Sequence, residues 1–195
     1  ILLAGVTSIA ACEREPHSSY AVNVTGLGQI AQGLFREGSE VTALSTSQVF
    51  SRHVDRPMPT DERAPTCQYG RQKALLEDLV LGDELGRIVR LTKVLPPNLP
   101  LFADWVTQLR KGQTIEVFSN VSIAPVILES AQSLIWQHAT KGNSERICHV
   151  SASGNWSFAE LMMQVARLSA LPGRIVPTRV DDNPINGVIT GPFAR

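Results

Sequence analysis

Val41-Thr42-Ala43-Leu44-Ser45-Thr46-Ser47 decides the fold. Residues 41–45 read as a short strand, and the stretch ends in hydroxyl side chains rather than a turn glycine. Upstream, residues 19–37 place Ala21, Val24, Leu27, Ile30, Ala31 and Leu34 on one helical face, with Gly38 just past the end. Downstream, residues 51–66 form a long loop rich in Pro, Asp and Arg, a length that is usually functional in a compact domain. A helix over 68–85, with Leu75, Leu76, Leu79 and Val80 apolar, leads to a strand over 87–91. An apolar strand over 1–4 opens the series. Strand and helix alternating in this way predicts an α/β fold, a parallel sheet flanked by helices.

Two early stretches invite other readings. Residues 1–11 run apolar into Ala10-Ala11-Cys12, as a lipoprotein leader would, yet no basic region precedes them and the run is too short to span a bilayer. Gly26-Leu27-Gly28-Gln29-Ile30-Ala31 fits a dinucleotide fingerprint by letters. The strand that follows ends in Ser45-Thr46-Ser47, with no carboxylate for a ribose, and the glycines fall inside the helix pattern. Gly26 is therefore read as a point where the helix packs close to a neighbour.

The 195 residues suit one domain or slightly more. Lys plus Arg and Asp plus Glu both number 18, which argues against nucleic-acid binding on a basic face and against a polybasic membrane anchor. Cys12, Cys67 and Cys148 are odd in number and far apart, which fits a reduced, cytoplasmic setting. His17, His53, His138 and His149 are scattered without metal spacing, so no metal site is expected. The run Asp55, Arg56, Asp61, Glu62 and Arg63 reads as solvated charge.

After Pro96 the pattern changes to a mixed one. Helices are expected over 102–110, 126–139 and 157–171, the last opened by a Ser157-x-x-Glu160 capping box. Strands are expected over 115–118, 147–151 and 174–178, and residues 181–195 show no period. Phe102 and Trp105 read as packing residues, and Cys67 as a small loop residue. The boundary predicts a sheet domain over 1–96 and a smaller α+β lobe over 97–195.

The chemistry sits in Tyr69-Gly70-Arg71-Gln72-Lys73. A tyrosine and a lysine four apart share a helix face, and a nearby ammonium lowers a phenol's pKa from about 10. Such a tyrosine can pass a proton near neutrality. Thr46, at the C-terminal end of its strand, stands where open α/β sheets place ligands.

Together these segments resemble a family. Ser45-Thr46-x-x-Val49-Phe50, Pro59, Glu62, Pro65 and Tyr69-Gly70-Arg71-Gln72-Lys73-Ala74-x-x-Glu77 are similar to the extended short-chain dehydrogenase/reductases, in the dTDP-4-dehydrorhamnose reductase branch. Leu3 to Thr7, Cys12-Glu13, Pro16, Val22-Asn23-Val24-x-Gly26, Arg90, Val94, Ala124-Pro125-Val126 and His149-Val150-Ser151 agree with it. The resemblance implies a partial Rossmann-like sheet with a C-terminal substrate lobe, and NADP or NAD as cofactor. It implies Thr46, Tyr69 and Lys73 as catalytic residues: Thr46 binding the substrate oxygen, Tyr69 as general acid, Lys73 tuning Tyr69 and holding the nicotinamide ribose. It also implies cofactor contacts at Ala4, Tyr69, Lys73 and Thr92, a nucleotide-sugar substrate and a homodimer.

Departures from the family matter. An Asp-Tyr pair usual after the threonine is Ser47-Gln48 here, and Val-Tyr-Gly is Val94-Leu95-Pro96. Without the acidic pair of the dehydratases, dehydration is disfavoured. The family's glycine-rich loop would precede Ile1, so the expectation is an N-terminally truncated part of a longer enzyme. The expected reaction is NAD(P)-dependent reduction of a nucleotide-linked 4-keto sugar. A sugar-nucleotide epimerase or a catalytically silent, nucleotide-binding regulatory subunit of the same fold is the alternative.

Overall fold

The computed structural model describes residues 1–51, 54, 56–96, 99–140 and 145–179. His53, Asp55 and the tail after Arg179 lie outside the described residues. Three parallel strands form the main sheet in the order β1 (Val41–Thr46), β2 (Gly86–Leu91), β7 (Ile147–Val150). Thr46 stands opposite Leu91, and Leu91 opposite Val150. The predicted strand over 1–4 contracts to a single bridge, Leu2 opposite Ala43, closed by Leu2 N–H to Thr42 O at 2.8 Å and Leu44 N–H to Leu2 O at 3.3 Å. The chain turns away beyond Leu2 and enters the short helix α1 (Ile9–Arg14).

Strand alternation sorts the core. Val41, Ala43 and Ile88 face one side with Leu2, Leu27, Ala31, Leu76 and Val80. Val89 and Val150, with Leu44 and Leu91, face the other and meet Val126 and Ala131. The first side is covered by α3 (Leu27–Arg36) and α4 (Gln68–Leu81), the second by α6 (Leu128–Thr140). A sheet so sandwiched needs apolar residues on both faces, which is why β1 is buried nearly throughout.

The helix expected over 19–37 begins earlier, at Pro16. It runs through α2 (Pro16–Tyr20), one wide π segment (Ala21–Gly26) and α3 without leaving helical dihedrals. The wide turn tucks Asn23 and Val24 inside. The close-packing role expected of Gly26 belongs to Gly28, where a Cβ would stand 2.8 Å from Leu79 Cδ1 of α4; a Cβ on Gly26 would meet only its own helix, at Ala21 O. The helix over 68–85 stops at Leu81, four residues short, because Asp83 and Leu85 turn the chain into β2.

The second half builds its own core. Helices α5 (Pro100–Arg110) and α7 (Phe158–Leu168) pack on the parallel pair β4 (Thr114–Phe118) and β9 (Arg174–Thr178). Trp105, Leu109, Ile115, Val117, Ala159 and Met162 fill the interior. Phe102 and Trp105 meet edge to face at 5.6 Å, packing residues as expected. The capping box of α7 is present in both directions, Ser157 with Glu160. Two further short pairs stand apart from the main sheet: β3 (Val94–Leu95) parallel with β6 (Val126–Ile127), and β5 (Ser122–Ile123) antiparallel with β8 (Trp156–Ser157).

Candidate active site

A cleft of about 440 Å³ opens at the C-terminal ends of β1 and β2. Thr46, Tyr69 and Lys73 all line it, along with Ser45, Ser47, Gln48 and Thr92. Local structure brings them together. Thr46 ends β1 and caps the following turn by accepting Gln48 N–H at 3.2 Å. The start of α4 then presses directly on that turn. A Cβ at Gly70 would lie 2.1 Å from Gln48 O, so only glycine permits this approach and the seat of Tyr69 beside Thr46. Cys67 is the N-cap of α4, its buried sulfur accepting Gly70 N–H at 3.4 Å, and Glu13 accepts Gln68 N–H at 2.7 Å. Cys67 thus has a capping role and is absent from the cleft lining.

Burial pushes the Tyr69 phenol up to about 12, with Cys12 and Cys67 adding to the rise and the neighbouring Thr46 hydroxyl opposing it. Lys73 is not among the groups that move it. Its ammonium donates instead to Leu44 O at 2.9 Å, at the end of the sheet. The tuning expected from the four-residue spacing is therefore overridden: the lysine head is held by the strand, and desolvation governs the phenol. Burial also lowers Lys73, to about 8, against the attraction of Glu77. Thr92 lines the cleft with its hydroxyl donated to Ala124 O at 2.7 Å. Ala4 is exposed and does not line it; Leu3 and Thr7 do.

Behind the cleft lie polar groups that sequence reasoning missed. Asn23, fully buried, accepts Val6 N–H at 2.7 Å and donates to Val6 O at 2.9 Å and Gln72 Oε1 at 2.8 Å. Gln72 in turn donates to Ser19 Oγ at 2.8 Å. This pins residues 5–7 to the helix beneath them. One turn beyond Lys73, Glu77 is 0% exposed and receives a two-pronged bond from Arg90, at 3.0 and 2.7 Å. Arg90 also donates to Pro59 O at 3.1 Å and lies over the Phe50 ring. Arg63, read as solvated charge, reaches Glu77 at 3.2 Å, Ala74 O at 2.8 Å and Asp78. The signal was present in the helix wheel. Gln72, Leu76 and Val80 share one face at four-residue steps, so a polar side chain occupies a core position.

Arg90 Nη1 faces His149 Nε2 at 3.1 Å. Arginine only donates, so that nitrogen accepts and the ring proton sits on Nδ1. Burial, then the Arg90 charge, lower His149 to about 4, against opposing contributions from the Pro57 backbone and Asp61. The unfolded chain takes up this proton near pH 6.5, whereas the folded chain resists it down to about 4. The stability is whole above 6.5 and drains as pH falls through that window, by up to about 3 kcal/mol. Denaturant titrations at pH 7 and pH 5 should differ by about 2 kcal/mol from this group. His149→Gln should flatten that difference, and an unchanged slope would refute the assignment.

Among the described residues, no group of three His, Cys, Asp or Glu is arranged to hold a metal, and no helix is long and apolar enough to cross a membrane. The cleft's residues fit a nicotinamide cofactor at one end only: Tyr69 and Lys73 offer donors suited to a ribose. Gly26 and Gly28 lie within a helix and form no phosphate loop.

Residues 1–187 match the family described as RmlD substrate binding domain. The chain belongs to that family. A relative within reach is the dTDP-4-dehydrorhamnose reductase of Aggregatibacter actinomycetemcomitans, 37% identical over 79 residues, which is 40% of this chain and 27% of that protein. The fold is also that of a Bacillus anthracis dTDP-4-dehydrorhamnose reductase solved in complex with NADP, at TM-score 0.82 and 21% identity, over 98% of this chain and 69% of the other. A UDP-glucose 4-epimerase from Thermotoga maritima, solved with UDP-glucose, superposes at TM-score 0.81 and 17% identity, over 98% and 66%. The RmlD family match spans both halves of the chain, and the structural likeness confirms the Rossmann-like α/β reading.

Proposed function

We propose that the enzyme containing this chain reduces the keto carbon of a nucleotide-linked 4-keto sugar, in the manner of a dTDP-4-dehydrorhamnose reductase, with NADPH or NADH. The observation that carries this is the convergence of Thr46, Tyr69 and Lys73 on one cleft at the strand ends. When bound, the nicotinamide cofactor supplies the hydride. Thr46 orients the substrate oxygen and the Tyr69 phenol gives that oxygen a proton. A phenol held at about 12 is protonated throughout neutral solution, the state a donor requires. Lys73, fixed on Leu44 O, and Tyr69 would hold the ribose hydroxyls. Thr92 would contribute from the cleft wall, and Ala4, outside that wall, stays the weakest of the expected cofactor contacts. Ser47 and Gln48 carry no carboxyl for elimination, which disfavours dehydration.

The same proposal divides the chain into a nucleotide lobe over 1–96 and a substrate lobe over 97–195, with β7 returned to the first. A cytoplasmic setting is supported by three free thiols. A homodimer is supported by apolar side chains exposed on the adjacent helices α3 and α4, among them Ile30 at 52% and Leu75 at 44%. Light scattering should give twice the protomer mass, and Leu75→Glu should halve it; a wild-type monomer removes the dimer from the proposal.

The reaction is tested by mixing the whole enzyme with a dTDP-linked 4-keto sugar and following NADPH absorbance. One NADPH lost per sugar reduced supports the reductase. Product without net NADPH loss makes it an epimerase, and binding without turnover a regulatory subunit.

A further inference from the structure

Among the described residues, the cleft lining carries two ammonium groups and no carboxylate. Besides Lys73, the second is Lys93, between Thr92 and Val94. The two differ in kind. Lys73 is 4% exposed and bonded to the sheet, whereas Lys93 is exposed and makes no ion pair among the described residues. Its backbone is nonetheless fixed: Lys93 O accepts Val126 N–H at 2.9 Å, and the preceding Thr92 is tied to Ala124 O. A firmly seated backbone with a free cationic head, on the rim of a catalytic cleft, is how a protein presents a charge to a ligand rather than to itself. Ile123 and Phe158, from the second half of the chain, also line the cleft and add apolar surface.

We propose that Lys93 is a specificity-determining residue that pairs with an anionic oxygen group of the sugar-nucleotide substrate, a phosphoryl or a carboxylate. This rests on the reductase reading and deepens it. Lys93 acts on binding, while Tyr69 and Thr46 act on the carbonyl oxygen. A charge-assisted bond in a partly enclosed cleft is among the stronger polar contacts, and its loss should weaken binding by about ten- to a hundredfold.

The test uses the whole enzyme with Lys93→Met and Lys93→Arg, folding checked by circular dichroism. In Lys93→Met the KM for a dTDP-linked 4-keto sugar should rise by about tenfold or more while kcat changes little, and Lys93→Arg should recover most of the loss. Calorimetric titration with dTDP alone and with NADPH alone separates the sources. Weakened dTDP binding assigns the contact to the phosphoryl groups. Unchanged dTDP binding removes the phosphoryl contact, and a KM raised only for a dTDP-linked 4-keto uronic acid then assigns the contact to the sugar carboxylate. An unchanged KM, or a loss confined to NADPH, overturns the proposal. If the wild type turns over no sugar, the reductase reading fails by itself, and the dTDP titration of Lys93→Met still decides whether this lysine binds a nucleotide anion.

Discussion

Replacing Tyr69 with phenylalanine should lower kcat for sugar reduction by about 10²–10⁴-fold while NADPH still binds with nearly wild-type affinity. The substitution removes one oxygen from a side chain that lines the cleft together with Thr46. The ring itself stays in place at the start of α4, so the loss is chemical. The same geometry fixes the pH dependence. Tyr69 keeps its proton up to about 12 and Lys73 keeps its own only to about 8. Reduction at limiting cofactor should decline as pH rises through about 8, when the lysine that would hold the ribose loses its charge, well before the phenol ionises. A Tyr69→Phe enzyme that reduces the sugar at the full rate would show that the proton comes from elsewhere.

Glu77→Ala should destabilise the fold by about 3–5 kcal/mol, because it strands the buried Arg90 guanidinium without its counter-charge. For a chain of this size that is a fall in Tm on the order of 10 °C. Burial decides the magnitude: the Glu77 and Arg90 side chains are 0% and 2% exposed, whereas the ion pair Arg14–Glu15 is 69% and 61% exposed and its removal should be almost silent. The double variant Glu77→Leu with Arg90→Leu should recover much of the loss, since a buried pair replaced by apolar groups sheds the desolvation cost of both ions. Thermal melts of wild type, Glu77→Leu, Arg90→Leu and the double variant form the cycle. If Glu77→Ala melts within a degree or two of wild type, Pro59 O, His149 and the Phe50 ring suffice to hold Arg90.

The elements that could be read from the chain are those whose own pattern suffices. Val41 to Thr46, Gly86 to Leu91 and the helix from Gln68 carry their period or their β-branched run within themselves. The two-residue pairs β3–β6 and β5–β8 could not be read, because nothing local marks Val94 or Ser122 as a strand; their partners come from far along the chain. The strand expected at residues 1–4 failed for the opposite reason: it looked apolar enough, but only Leu2 finds a partner. That Thr46, Tyr69 and Lys73 line one cleft agrees with the strand-end position and the four-residue spacing, while the roles expected of them came from the family resemblance. Their couplings were not legible. Whether Lys73 faces a phenol or the carbonyl of Leu44 depends on where the strand ends in space, and that Arg63 is drawn under the loop depends on Glu77 being buried.

The position of β7 has a consequence for how this chain is made. Its partner β2 is complete at Leu91, yet Ile147 and its neighbours emerge only after residues 92–146 have been synthesised. Until then one margin of the nascent sheet offers unpaired amides and the apolar Val89 to any other strand nearby. The interval is when misassembly on the ribosome threatens most, and a truncated product ending before Ile147 should be a client for chaperones rather than a smaller working domain.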